Sequence, residues 1–303
     1  MALHLKYRPE NFDEVVGNGA VVKSLKSLLK KPDRPHTYLF TGIRGGGKTT
    51  LARIMANQVG AHADDITELD IGDFNGVDTI RQLRREATLA PSSGKARAWI
   101  LDEVHNLSGP GQTALLKIAE DTPRHVYFFL CTNLPGKIVA ALKSRCTTYE
   151  VETMAPSAMK DLLEWVLDEE GVKGFSPEAI KLICKKSMGS PREALVLLES
   201  VMGLDGNDLL DYLESFQNKE HSAIELAQAL LAKRPWKDVA KLLKAIVEKE
   251  DPEGMRQMVL AYTSTILLNG NNPQAAIMMD AFIEPNFYNG KAGLIHSCYN
   301  ALA

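Results

Sequence analysis

Cysteine is scarce: Cys131, Cys146, Cys184 and Cys298 are the four in 303 residues. No pair has the close spacing of a zinc knuckle or a redox motif, so neither a cysteine metal module nor a disulfide scaffold is expected, and the thiols read as reduced and buried. No apolar run approaches the ~20 residues needed to span a bilayer, and no charged-then-apolar leader opens the chain; a cytoplasmic protein without membrane contact is expected. Basic charge is not in excess. The 35 Lys and Arg against 38 Asp and Glu leave a formal net charge of -3, which excludes a wholesale basic binder and leaves nucleic-acid contact to a local patch made by folding. Repeats and low-complexity linkers are also lacking, so domains are expected to abut through short turns. What remains is an ordinary globular composition, 45% hydrophobic, long enough for two or three domains with sizeable cores.

The stretch richest in chemistry is Gly42-Ile43-Arg44-Gly45-Gly46-Gly47-Lys48-Thr49, preceded by the apolar Tyr38-Leu39-Phe40 and followed by helical spacing from Leu51 to Val59. At this spacing backbone N–H groups wrap a polyphosphate, the lysine reaches the β and γ oxygens, and the threonine holds Mg²⁺. The following helix points its positive end at the same phosphates. Gly42, Gly45, Gly46, Gly47, Lys48, Thr49 and Thr50 are therefore candidate nucleotide contacts. A glycine-rich loop with a solvated lysine would be the plain alternative.

The chain around the loop alternates strand and helix. Residues 1–31 begin irregularly with Tyr7-Arg8-Pro9 and reach a helical pattern only at 20–29, as expected of an element wrapped onto the pocket or of a surface arm. Residues 66–71 alternate like a half-buried strand, 76–90 have helix spacing, and 96–105 form an apolar strand ending on Asp102 and Glu103. A helix at 111–120, a strand at 126–131 ending on Thr132-Asn133, a helix at 138–142 and a strand at 147–151 follow. Strands buried on both faces belong to parallel sheets, whose ligands sit at the carboxyl ends. A doubly wound α/β domain is expected over residues 1–154. Beyond it only amphipathic helices are predicted, at 157–170, 176–188 and 191–202 in a small domain over 155–212. Further helices at 222–232, 236–248, 252–268 and 274–282 belong to a third region, 213–303.

Phosphoryl transfer needs a phosphate cradle, a metal and an oriented nucleophile. Asp102 is suited to hold Mg²⁺ through water with Thr49, and Glu103 to polarise an attacking water. Without the upstream loop the two would be solvated strand-end carboxylates. Asn133 ends the next core strand, a place from which to orient that water or read the γ-phosphate. Arg145 in Ser144-Arg145-Cys146 is positioned to enter a neighbouring subunit's pocket, and Arg192, opening a helix of the second region, to reach back to the phosphates. By type alone either arginine is more often a surface ion pair.

Tyr7-Arg8-Pro9, the loop, Asp102-Glu103-Val104-His105, Asn133, Ser144-Arg145-Cys146 and residues 189–195 together resemble the successive motifs of clamp-loader ATPases of the AAA+ group, over about residues 5–198. The resemblance is to the bacterial polymerase III gamma/tau branch, with two departures: its four-cysteine zinc insertion is missing between Val59 and Ile66, and Asn133 is similar to the replication factor C form. A bacteriophage or other divergent replication system would combine these. The resemblance implies an AAA+ P-loop domain, a helical lid and a C-terminal all-α collar. It implies an ATP- and Mg²⁺-dependent motor, stimulated by clamp and DNA, that acts in a homo- or hetero-oligomeric five-membered assembly. That assembly opens a sliding clamp and grips primer–template DNA through its phosphates, in the cytoplasm of a bacterial or phage-infected cell. Lys48, Thr49, Asp102 and Glu103 would act in cis, Asn133 and Arg192 would sense the γ-phosphate, and Arg145 would serve the next subunit. Tyr7, Arg8, Pro9 and Val16 would surround adenine and ribose. Arg81, Ser108 and Gln112 are the DNA-contact candidates, with solvated helix residues as the alternative. An AAA+ branch-migration or recombination ATPase, or a non-catalytic nucleotide-binding scaffold, are the competing functions.

Overall fold

The computed structural model describes residues 1–72, 77–204, 206–270, 272–285 and 289–302. Contacts divide the chain into two compact units, residues 1–204 and 205–303. In the first, the elements run α1 (Leu3–Lys6), α2 (Gly19–Leu29), β1 (Thr37–Gly42), α3 (Lys48–Gln58), β2 (Ala61–Asp70), α4 (Val77–Ala87) and β3 (Ala96–Asp102). They continue with α5 (Gly109–Glu120), β4 (Val126–Thr132), α6 (Ala140–Arg145) and β5 (Thr147–Val151), then three helices, α7 (Pro156–Glu169), α8 (Pro177–Lys186) and α9 (Pro191–Val201).

The strands make one parallel sheet in the order β2-β3-β4-β1-β5, the doubly wound arrangement read from the sequence. β4 is buried at every position because both of its faces are covered. Tyr127, Phe129 and Cys131 pack with Ile54 and Met55 of α3, while Phe128 and Leu130 pack with Ile80 of α4 and Leu115 of α5. Period-two alternation thus feeds two cores, one on each side of the sheet.

β2 begins five residues before the strand expected at 66, with an irregular register between Ala61 and Ile66. The cause is Asp65. Its carboxylate is buried and accepts the backbone N–H groups of Ser92, Ser93 and Gly94 at 2.5, 2.9 and 2.7 Å, tying the turn before β3 to β2 where no apolar alternation exists. α8 and α9 each open on a serine cap followed by proline: Ser176 accepts from the Ala179 N–H and Ser190 from the Glu193 N–H, the capping chemistry expected at Ser176-Pro177. Of the four free thiols, Cys131 and Cys298 are buried and Cys146 and Cys184 only partly so, so uniform burial does not hold.

Among the described residues the second unit is helical: α10 (Gly206–Leu231), α11 (Trp236–Lys249), α12 (Pro252–Asn269), α13 (Pro273–Phe282) and α14 (Gly290–Asn300). Leu226, Leu230, Leu243, Val259, Phe282 and Leu294 meet in its core. The division expected between 212 and 213 falls inside α10. α14 was not anticipated because its small and polar residues blur the apolar stripe. Arg256 of α12 is buried; its Nε and Nη2 donate to Glu253 at 2.9 and 2.7 Å and its Nη1 donates to the Phe282 carbonyl at the end of α13. No described helix is long and apolar enough to cross a membrane.

Candidate nucleotide-binding site

The loop between β1 and α3 depends on glycine. Gly42, Gly45 and Gly47 have φ of 138, 71 and 105°, in the region where side chains are strained. A Cβ at Gly42 would lie 2.3 Å from the Val151 carbonyl oxygen of the adjacent strand. Lys48 is 6% exposed, and its Nζ donates to the carbonyls of Gly42 and Ile43 at 3.2 and 2.8 Å, inside the curve of the loop. Burial lowers its pKa.

Strand order puts the carboxylates beside this loop: β4 lies between β1 and β3, so the ends of all three converge. The Thr49 hydroxyl donates to Asp102 Oδ2 at 2.6 Å, and Asp102 Oδ1 accepts the Glu103 N–H at 2.9 Å. Thr49 and Asp102 offer hard oxygen donors, which fits Mg²⁺. Glu103 has a left-handed backbone with φ of 50°, which ends the strand and turns its side chain from the strand's line. At the end of β4, Asn133 Oδ1 is buried without a hydrogen-bond partner among the described residues.

A cavity of about 630 Å³ opens over the loop, lined by Tyr7, Arg8, Pro9, Val16, Gly45, Gly46, Gly47, Lys48, Thr49, Thr50, Asp102, Glu103 and Arg192 among others. The structure thus gathers most of the expected nucleotide contacts, from segments nearly two hundred residues apart. Tyr7 donates its hydroxyl to Glu170 at 2.7 Å and meets Trp165 edge to face, with ring centroids 5.2 Å apart. The pKa of Arg8 is lowered first by burial and then by the positive charges of Arg53 and Arg192. Arg192, in the first turn of α9, is close to the loop itself: a Cβ on Gly45 would lie 2.4 Å from Ser190 Oγ and 3.0 Å from Arg192 Cβ.

Gly42, Asn133 and Arg145 do not line this cavity. Arg145 ends α6, half-exposed, with Nη2 3.2 Å from Glu120 Oε1. Ser108 is exposed and caps α5 through the Gly111 N–H at 3.2 Å. Gln112 is not the surface contact expected. It is 4% exposed, donates to the Leu107 and Lys137 carbonyls and accepts the Val139 N–H, so it ties α5 to the loop before α6 and has nothing left for DNA. The side chain of Arg81, on α4, lies outside the described residues. Trp165, Leu162 and Asp70 also line the cavity and were not anticipated. The signals were a tryptophan 49% exposed on an amphipathic helix and a carboxylate ending β2, in register with Asp102.

A family model described as DNA polymerase III, delta subunit, matches residues 60–155. The chain is 35% identical over 225 residues to the DNA polymerase III subunit gamma/tau of Mycobacterium tuberculosis, covering 67% of this chain and 39% of that protein. To the tau subunit of Bacillus subtilis it is 33% identical over 229 residues, 69% of this chain and 40% of the relative; to that of Escherichia coli, 31% over 218 residues, 65% and 34%. Over about two thirds of its length the chain is thus related in sequence to DNA polymerase III gamma and tau subunits, which supports a clamp-loader AAA+ subunit. It spans about two fifths or less of the length of these relatives. Among solved structures, the Holliday junction branch migration motor RuvB of Thermotoga maritima superposes with a TM-score of 0.60 at 21% identity, covering 74% of this chain and 79% of that one. At that identity the likeness is one of fold, and the fold is AAA+.

Proposed function

We propose that this clamp-loader AAA+ chain is an ATPase motor subunit that opens a sliding clamp and loads it on primer–template DNA, with hydrolysis releasing the closed clamp. The observation that carries the proposal is the convergence of Lys48, the Thr49–Asp102 pair, Glu103 and Arg192 on one cavity, in a chain related to polymerase III gamma and tau subunits. The loop's N–H groups and Lys48 bind the phosphates of ATP, and Thr49 and Asp102 hold Mg²⁺, which neutralises charge on the phosphates when bound. Glu103 takes the proton of the attacking water. Asn133 and Arg192 read the γ-phosphate, and Tyr7, Arg8, Pro9 and Val16 surround the base and ribose. Arg145, off the cavity on an exposed helix end, completes a neighbour's site as an arginine finger. Residues 155–212 act as the lid and 213–303 as the collar of a pentameric cytoplasmic assembly. Arg81 and Ser108 remain DNA-contact candidates, through phosphates and hence without sequence preference.

In the assembled complex, ATP turnover should reach its full rate only with both primed DNA and the cognate clamp; equal rates with and without the clamp refute the proposal. Arg145→Ala should keep ATP binding and abolish turnover. Mixing Arg145→Ala with Glu103→Gln subunits should restore part of it, because some interfaces then pair an intact base with an intact finger. A branch-migration motor would instead form a hexamer and translocate on DNA with no clamp.

A further inference from the structure

Glu103 is joined to the end of the neighbouring strand through a residue that the nucleotide reading leaves idle. Glu103 Oε2 is buried, lies 3.2 Å from His105 Nδ1 and has no aligned hydrogen-bond donor among the described residues. The same Nδ1 is 3.1 Å from Thr132 Oγ1, which also accepts the Leu134 N–H at 3.0 Å. Thr132 is fully buried and the His105 side chain is 9% exposed, so water does not readily replace either partner. A single ring nitrogen has one directed bond to give or take. If Nδ1–H points at Glu103, it holds the carboxylate inward by a charge-assisted bond. If Nδ1 is engaged with the Thr132 hydroxyl, Glu103 has no directed partner on the protein side. Thr132 and Glu103 therefore compete for the nitrogen, and Thr132 directly precedes Asn133 at the end of β4.

We infer that His105 is a positioning residue for Glu103, its Nδ1 shared between the carboxylate and Thr132, so that the imidazole keeps Glu103 turned into the protein until Thr132 takes the nitrogen. The inference rests on the reading of Glu103 as the base. A shift of the β4 end, where Asn133 follows Thr132, then reaches the base through one hydroxyl and one imidazole.

The test is steady-state ATP turnover of the full chain in its assembled complex, without clamp or DNA. His105→Leu should raise basal kcat roughly tenfold at unchanged KM, the effect of losing one charge-assisted hydrogen bond. His105→Asn, whose amide nitrogen falls where Nδ1 lies and so keeps a donor there, should bring the rate back toward wild type. If His105→Leu does not fold, His105→Phe, which keeps a ring but has no donor, should act in the same direction. Thr132→Val removes the competitor and should lower the basal rate; Thr132→Ser should restore it; in a His105→Leu background Thr132→Val should have no further effect. A slower His105→Leu, a change confined to KM, or a Thr132→Val effect equal in both backgrounds overturns the inference. Glu103→Gln separates the two levels. Turnover retained in that variant refutes the base assignment and this inference with it, whereas a dead Glu103→Gln beside an unresponsive His105→Leu refutes only the coupling.

Discussion

Alanine at Gly45 should weaken nucleotide binding more than alanine at Gly47, although Gly47 adjoins Lys48. Both glycines have positive φ, +71° and +105°, and an L residue there costs about 1–2 kcal/mol of backbone energy. At Gly47 nothing lies within 4 Å of the new Cβ, so strain is the whole effect, about 5–30-fold. At Gly45 the Cβ would lie 2.4 Å from Ser190 Oγ, closer than any packed contact. Ser190 accepts the Glu193 N–H at 3.3 Å as the cap of α9, and turning away forfeits that cap at about 0.5–2 kcal/mol. The sum is about 1.5–4 kcal/mol, or roughly tenfold to a thousandfold in affinity.

Both strains are relieved when the loop leaves its phosphate-binding shape, so they surface as lost affinity. Calorimetric titration with a non-hydrolysable ATP analogue and Mg²⁺ measures this, with melting temperatures showing that the variants fold. Gly45→Ala combined with Ser190→Ala should lose less than the sum of the single changes, because the clashing oxygen is gone. Equal affinity of the Gly45→Ala and Gly47→Ala proteins, or strict additivity in the cycle, would refute the reasoning.

Two further predictions concern the scaffold. Arg256→Met takes a charged partner from buried Glu253, which keeps other donors such as the Gln257 amide at 3.2 Å, and takes one donor from the Phe282 carbonyl; it should destabilise the C-terminal unit by about 3–5 kcal/mol in denaturant unfolding, while the Glu253→Met, Arg256→Met double variant recovers most of the loss. Asp65 is held down to about 2, from an ordinary 3.8, chiefly by the N–H groups of Ser92, Ser93 and Gly94. Its stabilising contribution is therefore complete above about pH 4 and lost as pH falls through about 2. Asp65→Asn should lower the melting temperature at neutral pH and flatten its fall across that acid range; a variant that keeps the wild-type acid profile refutes the assignment.

The sheet and the phosphate loop were readable because their signals are local: apolar runs of strand length, glycines at fixed spacing, carboxylates at a strand end. What was not readable depends on register between distant strands. That His105 would share its nitrogen between Glu103 and Thr132 follows from β3 lying beside β4, with Leu101 opposite Leu130, and no spacing rule supplies it. Gln112 misled because a polar helix residue reads as solvated, whereas here its amide satisfies three backbone groups of adjoining loops. The start of β2 was not legible either: no apolar alternation marks residues 61–65, yet the buried Asp65 carboxylate organises them into the strand.

The contacts around the cavity make the loop between β1 and α3 a junction between the sheet and helices α7–α9. Gly45 packs on Ser190 and Arg192 at the start of α9. On the other wall, Tyr7 is bonded to Glu170 after α7 and stacks edgewise on Trp165, and the Leu3 N–H reaches Glu199 of α9 at 3.3 Å. Asn18, at the far end of the same N-terminal segment, exchanges hydrogen bonds with the Glu152 backbone just past β5. Two of the three helices α7, α8 and α9 are thus fastened to segments that line the cavity, and one of those segments is anchored at the sheet edge. A nucleotide that rearranges Gly45 or the 7–16 segment must move α7 and α9 with it, since Ser190 cannot yield without uncapping α9 and Tyr7 cannot yield without breaking its bond to Glu170. Within residues 1–204, the loop at Gly45 and helices α7 and α9 are therefore linked by direct contacts, and Gly45→Ala is the smallest substitution that should uncouple them.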